Sequence, residues 1–350
     1  MNKKLLALLL AILMVAMSAV AMAQTAATAT LTGLTKVFTT DFSTNDGLAR
    51  IPNETLNFTA TATSLTLPDG TTGSVDQAPQ LTGSIAPSGL SNTTDAPNAY
   101  TGTFSISTTA AWPSAGIYTY KAVETASNIQ GVTYSTDEIL FEVLVSYVQE
   151  TKDGVTSQVL KATNIGLKKV GETKTKNGTF TNAYNSGKVT ITKTVTGNAG
   201  DMNDEFEVTL TFAPAKDHSF STNFDTVTVG SEVKALTNNQ LVVKVKQGSP
   251  VEITDIPEGT LVTAVETDKK VNQPGADRSN SLYDATYAVG ETATNVASAT
   301  AAGSTIAITN NRTSSIDTGV TTDSMPYILL MAFVAILAVA FVAKKRSVKE

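Results

Sequence analysis

The sequence contains no cysteine. That excludes disulfides, thiolate metal sites and cysteine nucleophiles. Histidine occurs once, as His218. A Ser-His-Asp triad or a multi-histidine metal site therefore has little to draw on. No G-x-S-x-G elbow occurs either. Charged residues make up only 16% of the chain, too few for a charged disordered tail. Lys and Arg number 25 against 31 Asp and Glu, for a net charge of −6. With a pI near 5.0 the balance argues against nucleic acid as a partner. These absences leave little room for a surface enzyme and imply no cofactor and no metal.

What is present is 350 residues, enough for two domains, between two apolar ends. Residues 1–23 read as a signal peptide. Lys3 and Lys4 are basic, Leu5 to Val20 is apolar, and Ala21-Met22-Ala23 offers a cleavage site before Gln24. Residues 327–343 read as a transmembrane helix: Tyr327 to Ala343 is 17 residues without a charge. The tail, residues 344–350, begins Lys344-Lys345-Arg346 and marks the cytoplasmic side. The protein is expected to be exported, with everything between the two ends outside the membrane.

That middle region reads as all-β. Leu56, Phe58, Ala60 and Ala62 alternate with polar residues. So do Phe104 and Ile106, then Ile139, Phe141, Val143 and Val145, then Phe206, Val208, Leu210 and Phe212. Period-two runs of this kind are half-buried strands. Pro68-Asp69-Gly70, Ala86-Pro87-Ser88-Gly89 and Pro257-Glu258-Gly259 break them as turns. Many short strands with turns between them suggest β-sandwiches.

An internal repeat sets the domain count. Leu34-Thr35-Lys36 recurs as Ile191-Thr192-Lys193. Ala122-Val123-Glu124-Thr125 recurs as Ala264-Val265-Glu266-Thr267. Phe180-Thr181-Asn182 recurs as Ile308-Thr309-Asn310. The order is Lys, Glu, Asn both times. The domains are placed at 28–185 and 187–312, with a stalk at 313–326. The join at Asn185-Ser186-Gly187 is short, which predicts an elongated tandem with little freedom between its modules.

Strand parity then places chemistry. Lys36 shares a face with Leu34, and Lys193 with Ile191 and Val195. Glu124 shares one with Tyr118, Tyr120 and Ala122, and Glu266 with Val262 and Ala264. Asn182 follows Phe180, and Asn310 follows Ile306 and Ile308. Three inward polar groups per domain are costly unless they meet. If they meet, apolar burial favours a neutral amine and a protonated carboxyl. The carboxyl polarises the Asn carboxamide, the amine attacks, and ammonia leaves. The product is a Lys–Asn isopeptide bond between first and last strands, formed once by proximity and general acid–base effects.

These residues resemble the Gram-positive sortase-assembled backbone pilins, streptococcal FctA-type, built from isopeptide-linked immunoglobulin-like domains. The likeness runs through Ile51-Pro52-Asn53-Glu54, the segment Gly116 to Glu124, Gly131-Val132-Thr133-Tyr134 and Phe180-Thr181-Asn182-Ala183-Tyr184. In the second domain it runs through Val189-Thr190-Ile191-Thr192-Lys193, Val195-Thr196-Gly197-Asn198, Phe206 and the strand ending at Glu266. The resemblance implies two tandem immunoglobulin-like β-sandwiches. It implies Lys36 bonded to Asn182 with Glu124 as the catalytic carboxylate, and Lys193 bonded to Asn310 with Glu266. Asn311 is the alternative to Asn310, but its parity points the other way.

The resemblance also implies a sortase as partner, with cleavage between Thr318 and Gly319. The expected L-P-x-T-G reads Ser315-Ile316-Asp317-Thr318-Gly319, so only Thr-Gly is kept. An acceptor lysine is implied shortly before the Asn strand of the first domain. Lys168, Lys169, Lys174 and Lys176 lie there, and Lys174 or Lys176 is favoured. The remaining implied partners are identical subunits joined head to tail, minor pilins and the peptidoglycan of a Gram-positive cell wall. The alternative is an anchored surface protein or adhesin that does not polymerise. Outside this scheme, Asp201, Asp204 and Glu205 read as a loop, His218 as an exposed loop residue, and Trp112 as a packing residue.

Overall fold

The computed structural model describes residues 28–42, 50–93, 96–168, 178–268, 281–314 and 327–337. Within them the chain is almost wholly strand. The helical exceptions among the described residues are a single 3-10 turn, Pro87–Gly89, and residues 327–337. No helix among the described residues is long and apolar enough to cross a membrane. The span expected at 327–343 is thus described only as far as 337. The signal peptide, most of the stalk and the basic tail lie outside the described residues.

The strands enclose two hydrophobic cores. The first holds Leu34, Phe58, Ile106, Tyr118, Phe141 and Phe180. The second holds Ile191, Phe206, Leu210, Ile253 and Ile308. The period-two runs read from the sequence supply both, because alternate residues of a strand reach the same face. Trp112 is fully buried in the first core, beside the rings of Tyr118 and Tyr120.

Around the second core the strands form two sheets, as expected of a sandwich. Six strands include Ser186–Thr196 beside Ser304–Asn311, and four include Glu205–Ala213 beside Leu261–Glu266. The first core differs. Its eleven strands form one continuous sheet that doubles back on itself. The two wings are joined by a single residue pair, Thr82 of Leu81–Ile85 with Ser107 of Ala96–Thr108. Gly83 makes that approach possible, since a Cβ there would sit 2.2 Å from the Ser105 carbonyl oxygen.

In both halves the first strand lies parallel to the last. Ala29–Thr40 runs beside Gly178–Tyr184, with Lys36 opposite Phe180 and Phe38 opposite Asn182. Ser186–Thr196 runs beside Ser304–Asn311, with Lys193 opposite Ile308 and Val195 opposite Asn310. The offset between Lys and Asn is the same in each.

A bulge aims the first lysine. Ala29 and Leu31 face inward, but between Leu31 and Leu34 the pairing with Ala96–Thr108 shifts. Gly33 sits there with φ +79, the left-handed region that glycine enters without penalty. One extra residue flips every later side chain. Leu34, Lys36 and Phe38 therefore point into the core. Without the bulge, Val37 would point inward and Lys36 outward.

A single residue, Asn185, separates the strand Gly178–Tyr184 from Ser186–Thr196. Its N–H donates to the Gly131 carbonyl and its carbonyl accepts from Glu258 N–H, both at 2.9 Å. Gln130, 5% exposed, joins the halves with its side chain. Its Nε2 donates to the Glu258 carbonyl at 2.5 Å and its Oε1 accepts from Ala215 N–H at 2.7 Å. Asn53 N–H donates to Ser221 Oγ, and Asn223 Nδ2 to the Ile51 carbonyl. Gln130→Ala leaves two half-buried backbone groups, the Glu258 carbonyl and the Ala215 N–H, without their partners. It should lower stability by about 1–3 kcal/mol and raise amide exchange around 129–131 and 215–219. Exchange unchanged at both places would show that the join does not depend on this side chain.

Candidate functional site

Each core contains one lysine, one glutamate and one asparagine. In the first, Lys36 is fully buried, and Glu124 and Asn182 are nearly so. Lys36 Nζ lies 2.6 Å from Glu124 Oε2 and 2.5 Å from Asn182 Oδ1. Asn182 Nδ2 donates to Glu124 Oε1 at 2.7 Å. In the second, Lys193 Nζ donates to Glu266 Oε2, and Asn310 Nδ2 donates to Glu266 Oε1 at 2.6 Å. Lys193, Glu266 and Asn310 are all buried. The structure thus brings together the three expected residues at each site. Asn311 is exposed and hydrogen-bonds Thr196 Oγ1 at the surface. Parity therefore selects Asn310.

The surroundings are apolar. Phe58, Phe104 and Phe180 cluster beside the first site, with Phe58 and Phe104 ring centroids 4.0 Å apart. Lys36 Nζ is 5.9 Å from the Phe58 ring. At the second site Lys193 Nζ is 4.2 Å from the Phe206 ring. Burial pushes the Lys36 amine below its ordinary pKa. The Glu124 hydrogen bond and charge, and the charges of Asp137 and Glu54, oppose that shift without overcoming it. The arrangement presents an amine made more nucleophilic by desolvation. It sits against a carboxamide whose nitrogen is already hydrogen-bonded to a carboxyl group.

Two contributions were not visible in the sequence. Phe58 and Phe206 lie in runs that read only as core, yet their rings flank the amines. Ser135 N–H donates to Asn182 Oδ1 at 2.7 Å. A backbone donor leaves no residue-type signal. Elsewhere, His218 is an exposed loop residue whose Nδ1 lies 3.0 Å from the Lys216 carbonyl. Asp204 accepts from Tyr283 OH at 2.9 Å. Lys174, Lys176, Thr318 and Gly319 lie outside the described residues, as does Lys169.

Each of the two β-cores thus holds an amine and a carboxamide hydrogen-bonded to one carboxyl group. Residues 187–319 match a family described as a domain of unknown function (DUF7601). A curated relative named "Pilin", from Streptococcus pyogenes serotype M1, is 26% identical over 240 residues. The match covers 66% of this chain and 68% of the relative. The fold matches the major pilin protein (T3.2) from S. pyogenes serotype GAS13637 with a TM-score of 0.52 at 20% identity. That match covers 83% of this chain and 99% of that one. A second S. pyogenes major pilin matches with a TM-score of 0.53 at 21% identity, over 82% and 99%. In sequence the chain is similar to a streptococcal pilin, and in fold to streptococcal major pilins.

The lowered Lys36 pKa has a sign. The folded state binds the amine proton less readily than the unfolded state, where the ordinary value is 10.5. Stability therefore rises with pH between the lowered folded value and the ordinary one. Asn182→Ala keeps the amine free and exposes this effect. Its melting temperature should climb towards that of Lys36→Met/Asn182→Ala as pH is raised through this window. A constant gap between the two would contradict the shift.

Proposed function

We propose that the chain is the backbone subunit of a covalently assembled bacterial surface pilus. Each of two modules, 28–185 and 187–312, closes its own isopeptide bond. The observation that carries this reading is the buried Lys–Glu–Asn set, present twice with the same strand offset. The family match that begins at residue 187 supports the module boundary.

In the proposed reaction the neutral Lys36 amine attacks Asn182 Cγ, and the carbonyl electron pair moves onto Oδ1. Glu124 takes a proton from the attacking nitrogen and gives one to Nδ2. The carbonyl reforms, the Cγ–Nδ2 bond breaks and ammonia leaves. An amine and a carboxamide become a secondary amide plus ammonia, with no net proton consumed. Lys193, Glu266 and Asn310 repeat the reaction in the second module. Each site acts once, so the chain is no enzyme in the turnover sense. Proximity supplies much of the driving rate, as in other oriented intramolecular reactions.

Assembly then uses the C-terminal signal. A sortase cleaves between Thr318 and Gly319 and transfers Thr318 to Lys174 or Lys176 of an identical subunit, head to tail. Minor pilins and peptidoglycan complete the cell-surface structure. A second reading, an anchored surface protein that does not polymerise, is favoured by one observation. Ser315-Ile316-Asp317-Thr318-Gly319 keeps only Thr-Gly of the usual motif.

The mature chain should weigh less than its sequence by two ammonia molecules, one per module. Glu124→Ala and Glu266→Ala should each restore one. A full sequence mass in the unaltered protein would sink the cross-links. The first bond would tie residues 146 apart in the chain. Loop entropy alone gives such a tie about 5 kcal/mol, so Asn182→Ala should melt well below the unaltered chain. For assembly, a denaturing gel of a wall extract, probed for this protein, should show a ladder that survives boiling. A monomer band alone would favour the second reading.

A further inference from the structure

The two sites differ in how they treat the carboxamide oxygen. Asn182 Oδ1 accepts from Ser135 N–H at 2.7 Å and also from Lys36 Nζ. Asn310 Oδ1 is buried and has no hydrogen-bond partner among the described residues. The amines differ too. Lys193 Nζ lies 4.2 Å from the Phe206 ring, whereas Lys36 Nζ lies 5.9 Å from Phe58. A ring face at the shorter distance favours the ammonium, the form that does not attack. The Glu124 side chain is fully buried, while that of Glu266 keeps 5% exposure. Each difference favours reaction at the first site.

Ser135 is held for this task. Val132–Thr133 pairs with Ala183–Tyr184 at the edge of the sheet, next to Asn182. Tyr134 OH then donates to both oxygens of Glu54, at 3.0 and 2.7 Å. Ser135 Oγ donates to Asp137 Oδ2 and accepts from Asp137 N–H. The segment is tied on both sides of Ser135, so its N–H is directed at the oxygen before reaction begins. A fixed backbone donor aimed at an oxygen that gains charge is an oxyanion site.

We propose that the Ser135 backbone N–H is a catalytic group of the first cross-linking reaction, and that the first bond closes before the second. The inference rests on the isopeptide reading above. When the Lys36 nitrogen bonds to Asn182 Cγ, the carbonyl pair moves to Oδ1, and Ser135 N–H receives that charge. As the carbonyl reforms, Nδ2 leaves as ammonia with the proton relayed by Glu124. The second site performs the same exchange without this donor.

The test follows bond closure in the full mature chain, made in denaturant and then allowed to fold. Intact mass counts the ammonia lost, and peptide mapping assigns each loss to a site. The Lys36–Asn182 bond should close first. Ser135→Pro, which removes the N–H, should slow it by about a hundredfold, the usual loss for one oxyanion donor. Ser135→Gly, which keeps the N–H, should restore the rate. Closure of the Lys193–Asn310 bond should be unchanged in both. Trp112 is the single tryptophan and is buried in the first core, so its fluorescence reports whether that core has folded. If Ser135→Pro does not bury it, an amide-to-ester replacement at position 135 removes the donor without the proline ring. A first bond that closes at the unaltered rate without the donor would overturn the proposal. So would equal slowing of both bonds, or closure of the second bond before the first. No ammonia loss from the unaltered chain would instead overturn the cross-link reading itself.

Discussion

A lysine amine inside an apolar core is the constraint on which each half of this structure depends. Burying such a group as an isolated ion costs far more than a domain's net stability. Lys36 and Lys193 each meet a buried glutamate, and each glutamate also accepts from an asparagine amide. A buried ion pair of this kind is weak support for stability, because desolvation cancels much of its attraction. Its retention in both cores is better understood through the chemistry it permits. The desolvation that makes the lysine expensive as a cation makes it a better nucleophile.

The architecture holds these groups together through the parallel pairing of first and last strands. Lysine and asparagine sit on neighbouring strands, and the glutamate reaches them from the facing layer. In the proposed pilus, pulled from its ends, load would enter one terminal strand and leave by the other. Hydrogen bonds between these strands would share it in shear. The proposed covalent bonds join the same two strands, so the load path would bypass the sheet. The hydrogen-bonded join around Asn185 and Gln130 would lie on that path from one core to the next.

Much of this was legible in the sequence. The strands were read from alternation, and alternation survives because only one face of each strand meets a core. The inward faces of Glu124, Asn182, Lys193, Glu266 and Asn310 followed from parity alone. Lys36 also points inward, but for a reason parity does not contain. The bulge at Gly33 reverses the face between Leu31 and Leu34. Counting from Leu34 gave the right face, while counting from Ala29 would have given the wrong one. The continuous sheet of the first half was not legible, because its two wings join through only one residue pair, at Thr82 and Ser107.

The sequence by itself determined the residue types, their repeated order and, Lys36 apart, the face each would occupy. Those are local properties, set by strand periodicity and by composition. The tertiary structure decided what those faces meet. Parallel pairing of strands about 146 residues apart depends on chain topology, which local pattern does not encode. The same holds for the backbone N–H of Ser135. Every residue except proline carries such a group, so only the fold determines which one points at Asn182.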